Sequence, residues 1–357
     1  MNILNIRQQL EEQEDKILAS YSLKNKFSKG RSSGKCDEYR LDFARDRDRI
    51  IHTKAFRRLK GKTQVFVAHH GDHFRSRLSH SLEVAQIART FARIFRVNED
   101  VVEAVALAHD LGHTPFGHAG QEILAKKIRK FFPETGKTFE HNAQSRRILE
   151  VLEPQNLCEE TLLCLYKHPT NKEKHALEIS GKLFPQNFLE GQIVDCADEI
   201  AYLCADLEDG LRAGILEKND FDFVPENSID FFVRDIAEQG LKKLEKIQQN
   251  SEKCTSPDDI RNFPEEILKY SSEVLKIKTR LKKDLFTKMY HHPVVLVQTK
   301  KGEKIISEIF DFLLQNPEKI PANFTKISPE ISQQICDFIS GMTDQFAENF
   351  WKNNVGA

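Results

Sequence analysis

Beyond residue 35, apolar side chains return at three- and four-residue steps through almost all of the 357-residue chain. That periodicity restricts the fold more than any composition figure does. A period near 3.6 puts one apolar stripe on each helix, and such stripes are buried by packing helix on helix. "LSHSLEVAQIARTFARIFRV" places Leu78, Leu82, Ala85, Ala88, Ala92 and Phe95 at helical spacing. Asn98 stands where an N-cap belongs, before "EDVVEAVALAHDLG", and Gly112 and Pro115 are expected to end that helix. Further helices are predicted over "EHNAQSRRILEVL", "FLEGQIVDCADEIAYLCADLEDGLRAG", "IDFFVRDIAEQGLKKLEKIQQ", "EEILKYSSEVLKIKTRLKKDLF" and "GEKIISEIFDFLLQ". The last, "PEISQQICDFISGMTDQFAENFWKN", is expected to open with Ser328 as cap and Pro329 in its first turn. "HPVVLVQT" is the one run that reads as a strand. The expected fold is mainly α: a polar N-terminal segment over 1–40, a helical core over 41–215, and an additional C-terminal helical region over 216–357 packed on it.

Composition narrows the partners. Charged residues make up 30% of the chain and nearly cancel, for a formal net charge of -1, so no global attraction to nucleic acid or a membrane surface is implied. The start, "MNILNIRQQLEEQEDKIL", is too charged for a signal peptide, and no apolar run approaches the roughly 18 residues of a membrane span. Seven cysteines, an odd number with no C-x-x-C pair, read as reduced thiols in a cytoplasmic protein. "KNKFSKGRSSGK", basic and rich in glycine and serine, is expected to be a mobile segment.

The chemistry concentrates in histidine. Nine of the 13 histidines fall between positions 52 and 141, and "AHDLGHTPFGHAG" alone carries His109, Asp110, His113 and His118. A lone histidine on an apolar helix face, such as His80 beside Val84 and Ile87, is ordinarily a core residue. An adjacent His109-Asp110 pair is different. Consecutive helical side chains diverge by about 100°, so the two chelate an ion only by leaning toward it at the edge of their face. Imidazole nitrogen with carboxylate oxygen suits iron, manganese, cobalt, nickel or zinc better than calcium. Two ligands are too few, and the rest must come from elsewhere. The helix near residue 200 offers Asp195, Asp198, Tyr202, Asp206 and Asp209 along one face, where stacked carboxylates need cations or protons. Ordinary pairing with the arginines of "FARDRDRIIHTKAFRRLK" is the competing reading of those carboxylates.

Read together, His80, His109-Asp110 and Asp198 resemble the H…HD…D signature of the HD-domain phosphohydrolases. "RDRDRIIHTKAFRRLKGKTQVF", "RSRLSHSLEVAQIAR", "ALAHDLGHTPFGHAG", "FEHNAQSRRIL", "ADEIAYLCADLEDGLRAG" and "FISGMTDQFA" are similar to one branch, the deoxyguanosine triphosphate triphosphohydrolase-like proteins. The resemblance runs from about residue 18 to about residue 350. It implies an HD-domain helical core in which His80, His109, Asp110 and Asp198 ligate manganese, iron, cobalt or nickel. It also implies a second ion, often magnesium, carried on the phosphates. The implied activity is hydrolysis of a deoxynucleoside triphosphate to deoxynucleoside and inorganic triphosphate. By the same resemblance His118 is the general acid, His113 and His141 contact phosphates, and Arg77 contacts a phosphate. Gln64, Tyr202 and Asp206 read the sugar, Tyr202 where a ribose 2′-hydroxyl would sit. A homo-oligomer is expected by the same analogy.

Two positions depart from the branch. Gln121 stands where most relatives carry an acid expected to orient the His118 imidazole, with Glu122 following, and Ala205 stands where a histidine often precedes the Asp206 position. The alternative readings are an HD-type nucleotidase or pyrophosphohydrolase, and a nucleotide-sensing or nucleic-acid-binding protein with weak or no catalysis. The second draws on Arg40, Arg45, Arg47, Arg49, Arg57, Arg58, Lys60 and Lys62, although Asp42, Asp46 and Asp48 among them suggest internal pairing.

Overall fold

A computed structural model describes residues 6–34, 37–64, 75–136, 138–165, 177–179, 182–184, 187–250 and 256–356, and it is mainly α-helical. Its longer helices are α1 (Ile6–Ile17), α2 (Asp42–Ile51), α3 (Arg77–Phe95), α4 (Glu99–Ala108), α5 (Gly117–Phe131), α6 (His141–Arg147), α7 (Leu189–Arg212), α8 (Ser228–Asn250), α9 (Ser272–Leu285), α10 (Pro293–Gln315), α11 (Ile331–Ser340) and α12 (Asp344–Asn354). The strands among the described residues are one short antiparallel pair, Leu177–Ile179 with Lys182–Phe184.

Helix α4 is central because its sequence leaves it no other place. Val101, Val102 and the run from Ala104 to Ala108 are all buried, and α2, α3 and α7 pack around them. Asn98 caps α4 as expected, its side chain accepting from the Asp100 and Val101 amides. The helix ends at Ala108, four residues before Gly112. Gly112 has another reason to be glycine: a Cβ there would stand 2.3 Å from the His141 carbonyl oxygen and 2.4 Å from the Ser145 amide nitrogen. Its absence lets α6 lie against the turn that follows α4. On α3, Leu82 faces outward at 54% exposure, against its assignment by spacing, while the other members of that set are at least partly buried.

Two apolar clusters organise the chain. One reaches from Tyr21 and Leu23 through α2, α3, α4 and α7 to Val295. The other joins Leu124 and Ile128 of α5 to Ile305, Phe310 and Leu313 of α10 and Ile339 of α11. The histidine-bearing turn between α4 and α5 leaves the first cluster and enters the second.

Three expectations are corrected. "HPVVLVQT" is the start of α10, not a strand: His292 caps it, Pro293 opens it, and Val295 is buried. Proline at the first helical position and a capping side chain outweigh the β-branched run. The last predicted helix is two, with Glu330 rather than Ser328 at the N-cap of α11 and Thr343 capping α12. The basic N-terminal stretch is anchored over its described part. Asn25 bonds Glu14, Ser28 bonds Glu160, and Arg31 reaches Asp42 and Asp46. Basic residues that find buried acids are held by them. The same holds for much of the arginine-rich region, where Arg40, Arg45, Arg47 and Arg58 all pair with carboxylates. Cys158, Cys164, Cys196, Cys204 and Cys336 are free thiols, and Cys36 and Cys254 lie outside the described residues. No described helix is long and apolar enough to cross a membrane.

Candidate metal centre

Three elements bring His80, His109, Asp110 and Asp198 together. Ser76 caps α3 through a capping box with Ser79, which sets the first turn carrying Arg77 and His80, both buried. His109 is the C-cap of α4, and the turn closes with the His113 amide donating to the Asp110 carbonyl at 3.1 Å. Asp198 projects from α7, one oxygen 2.9 Å from His80 Nε2 and 3.5 Å from His109 Nε2. His109 Nε2 is also 3.4 Å from Asp110 Oδ1.

The donor set fits a first-row divalent ion. Ligand atoms about 2.1 Å from one ion stand roughly 3.0–3.4 Å apart at the corners of an octahedron or tetrahedron, which is close to the separations found. The His109 tautomer points the same way. Its Nδ1 donates to the Ala106 carbonyl at 2.6 Å, so Nε2 presents a lone pair to two carboxylate oxygens. Such an arrangement repels itself unless a cation lies between. His80 Nδ1 is buried with no hydrogen-bond partner among the described residues, so the ring's polar contact is the one that Nε2 makes with Asp198. Burial alone would raise Asp110, but the positive charge around it, Arg77 included, holds its carboxyl well below the usual carboxylate range.

A second group of imidazoles adjoins the first. His113 Nε2 lies 3.2 Å from Asp110 Oδ1, and the His113 ring stacks on His141 with centroids 3.9 Å apart. The His118 ring is 5.4 Å from His113 and 6.4 Å from His141. Burial, then the nearby Arg77 charge, pushes His113 well down and His118 down. His118 itself is open to solvent at the mouth of the site, yet the walls around its ring are close enough to disfavour its charged form. Arg77, 2% exposed, donates from Nη1 to Asp110 Oδ2 at 2.8 Å.

The expectation that position 121 orients His118 is corrected. Gln121 Oε1 accepts from His141 Nδ1 at 2.7 Å, and Gln121 Nε2 faces Glu140. Helix α6 begins against α5 and brings His141 within reach first. Glu122 is exposed and lies 3.8 Å from Lys126, and its charge is one of those that favour a protonated His118 against the larger effects of burial and Arg77.

Farther along α7, Tyr202 and Asp206 meet a residue that sequence reasoning missed. The Tyr290 hydroxyl donates to Asp206 and bonds the Tyr202 hydroxyl, and the two tyrosine rings stack with centroids 6.4 Å apart. Burial pushes Asp206 up to about 7. Tyr290 closes a short helical turn after α9, and the only local signal for it is the aromatic and basic run "YHHP". Gln64 is half-buried, with Oε1 unpartnered among the described residues, and Val65 and Phe66 of "TQVF" lie outside them. A cavity of about 1110 Å³ opens on a neighbouring face of α7. Its walls carry Glu208, Asp222, Glu226 and Asp230 against Arg75 and Lys218, which are already ion-paired, so it does not suit a triphosphate.

Comparison with known proteins agrees with this geometry. The HD domain family matches residues 77–203, and the phosphohydrolase-associated domain matches residues 268–353, which include Tyr290. A deoxyguanosinetriphosphate triphosphohydrolase-like protein of Bordetella pertussis is 40% identical, over 92% of this chain and 94% of that protein. Proteins so named from Caldanaerobacter subterraneus and Leptospira interrogans are each 37% identical, over 96% and 97% of this chain and 94% and 98% of theirs.

Proposed function

The chain belongs to the deoxyguanosinetriphosphate triphosphohydrolase-like family of HD-domain phosphohydrolases, and from that premise we propose that it hydrolyses deoxynucleoside triphosphates to deoxynucleoside and inorganic triphosphate. One observation carries the reading. A His-Asp set fit for a divalent ion adjoins a group of three imidazoles at Asp110, and farther along α7 from Asp198 lie Tyr202 and Asp206 of a Tyr-Tyr-Asp group.

His80, His109, Asp110 and Asp198 would hold the ion, taken to be manganese, iron, cobalt or nickel, with magnesium accompanying the phosphates. The ion supplies polarisation of the α-phosphate and a more acidic water. Water oxygen bonds to the α-phosphorus as the bond to the 5′ oxygen breaks, so all three phosphates leave together. His118 gives the 5′ oxygen its proton. Burial and the Arg77 charge lower its basicity, and the charge of a bound triphosphate would favour the protonated ring. His113, His141 and Arg77 line the phosphate side, Arg77 held in place by Asp110. Gln64, Tyr202 and Asp206, with Tyr290 between the last two, form the sugar side. There an aromatic wall crowds a 2′-hydroxyl, so dGTP should be favoured over GTP.

The test is incubation with each deoxynucleoside triphosphate and with GTP, with Mn²⁺ or Mg²⁺, followed by phosphorus NMR of early products. Inorganic triphosphate with free deoxynucleoside is expected. Deoxynucleoside monophosphate with pyrophosphate would instead place the chain among HD pyrophosphohydrolases.

A further inference from the structure

"FISGMTDQFA" matched the family in sequence but has no part in the chemistry above. In the fold it joins α11 to α12, far along the chain from every histidine of the site. We infer that the segment Asp337–Asp344 is a latch that sets the geometry of the three phosphate-side histidines, with Lys62 and Asp344 as its positioning residues. The inference deepens the proposed function and rests on it.

The segment reaches each element that carries one of those histidines. Asp337, fully buried, accepts from Arg147 at 2.7 Å and from Gln144 at 2.9 Å, both on α6, the helix that His141 opens. The Ser340 carbonyl accepts from Lys62 Nζ at 2.7 Å, and the same ammonium bonds the His113 carbonyl. Lys62 is 2% exposed, so these carbonyls are its surroundings and not a surface contact. Asp344 divides its two oxygens. Oδ2 accepts from the Thr63 amide at 2.9 Å and from the Thr63 hydroxyl, and Oδ1 accepts from the Phe116 amide at 3.0 Å.

The Phe116 contact matters most. Phe116 has φ 60°, a left-handed conformation that a non-glycine residue rarely holds without support. It is the residue before Gly117 and two before His118. Its amide is tied to Asp344, and its side chain rests on Gly302 of α10, where an added Cβ would stand 2.7 Å from the Phe116 Cβ and 2.8 Å from its Cγ. The start of α5, and with it the direction of the His118 ring, therefore depends on C-terminal groups that touch no ligand.

Four proteins test this: wild type, Asp344→Asn, Thr63→Val and Leu313→Ala. Asp344→Asn turns one acceptor into a donor facing N–H groups, and Thr63→Val removes one of the three bonds should the first fail to fold. Leu313→Ala is the stability control: Leu313 is fully buried in the same C-terminal cluster as Phe338, Ile339 and Met342 of the segment, but it takes no part in the polar bonds to the histidine-bearing elements. Each protein is measured for bound metal, thermal midpoint, affinity for inorganic tripolyphosphate by calorimetry, and kcat and KM. The latch variants should keep their metal and lose about tenfold or more in tripolyphosphate affinity and in kcat. Leu313→Ala should lose thermal stability while keeping both. Latch variants that change no more than Leu313→Ala at matched stability would overturn the latch. A wild type that neither binds tripolyphosphate nor releases it would overturn the proposed function itself, and the two failures are told apart by the protein in which they are seen.

Discussion

At the scale of single residues, two side chains behave otherwise than their neighbours suggest. Gln121 serves His141 and not His118. Gln121→Glu would put a carboxylate against the His141 Nδ1–H and so favour a charged His141, which also stacks on His113. The basic limb of the kcat–pH profile should move to higher pH, with the thermal midpoint little changed. An unmoved profile would mean that this contact transmits no charge to the reaction. Asp206 carries the second prediction. Burial raises it to about 7 in the fold from 3.8, so the folded state holds its proton more tightly than the unfolded chain does. Its contribution is present at low pH and fades as pH rises from about 4 to about 7. Asp206→Asn stays neutral throughout and lacks that slope. In chelator-treated protein, the stability of the variant relative to wild type should grow between pH 4.5 and 7.5, by up to about 3 kcal/mol. Urea unfolding at the two pH values measures it, and an unchanged difference would contradict the assignment.

At the scale of elements, the site depends on where α4 begins and ends. Asn98 does more than cap. Besides accepting from Asp100 and Val101, its Nδ2 donates to Glu14 at 2.9 Å and to the Leu23 carbonyl at 3.2 Å. Asn98→Ala therefore loses the cap and two further hydrogen bonds, a cost of about 2 kcal/mol, although Glu14 keeps Asn25 and the Leu23 carbonyl keeps Ser22. Asn98→Asp keeps the cap but places a second carboxylate beside Glu14, whose own carboxyl burial already pushes up. It should fall between wild type and Asn98→Ala in urea midpoint. If Asn98→Asp matches wild type, the tether to Glu14 contributes nothing.

At the scale of the whole molecule, the N-terminal segment belongs to the core cluster it looks separate from in sequence. Tyr21 is buried and its hydroxyl donates to the Phe95 carbonyl. Glu190, buried in α7, accepts from the Ser22 hydroxyl at 3.0 Å and the Leu23 amide at 2.8 Å. Removing the chain through residue 23 exposes the pocket that these side chains fill and orphans a buried carboxylate. The expected loss is on the order of 5 kcal/mol, read as a fall in urea midpoint. A loss below about 1 kcal/mol, the size of a surface effect, would show the segment to be dispensable.

The helical fold was legible in the amino-acid sequence because it is written in local spacing, and the candidate site because its stretches resemble those of one family. A 3.6-residue period marks α3, α4 and α7 without knowledge of their neighbours, and the branch-specific stretches singled out His80, His109, Asp110 and Asp198 before any of their distances could be measured. The contacts that sequence reasoning misplaced are between residues far apart in the chain. Gln121 lies one turn from His118 along α5, but α6 delivers His141 to it. Tyr290 joins Tyr202 and Asp206 across more than eighty positions. The run "PVVLV" has a strand's composition, yet the cap at His292 and the burial of Val295 make it helix. Spacing reports which side chains share a face of one element, whereas the partner that a face meets depends on how helices pack. That is why the candidate ligands were reached through family-like motifs and not through spacing, and why the latch that holds the histidine turn could be seen only in the fold.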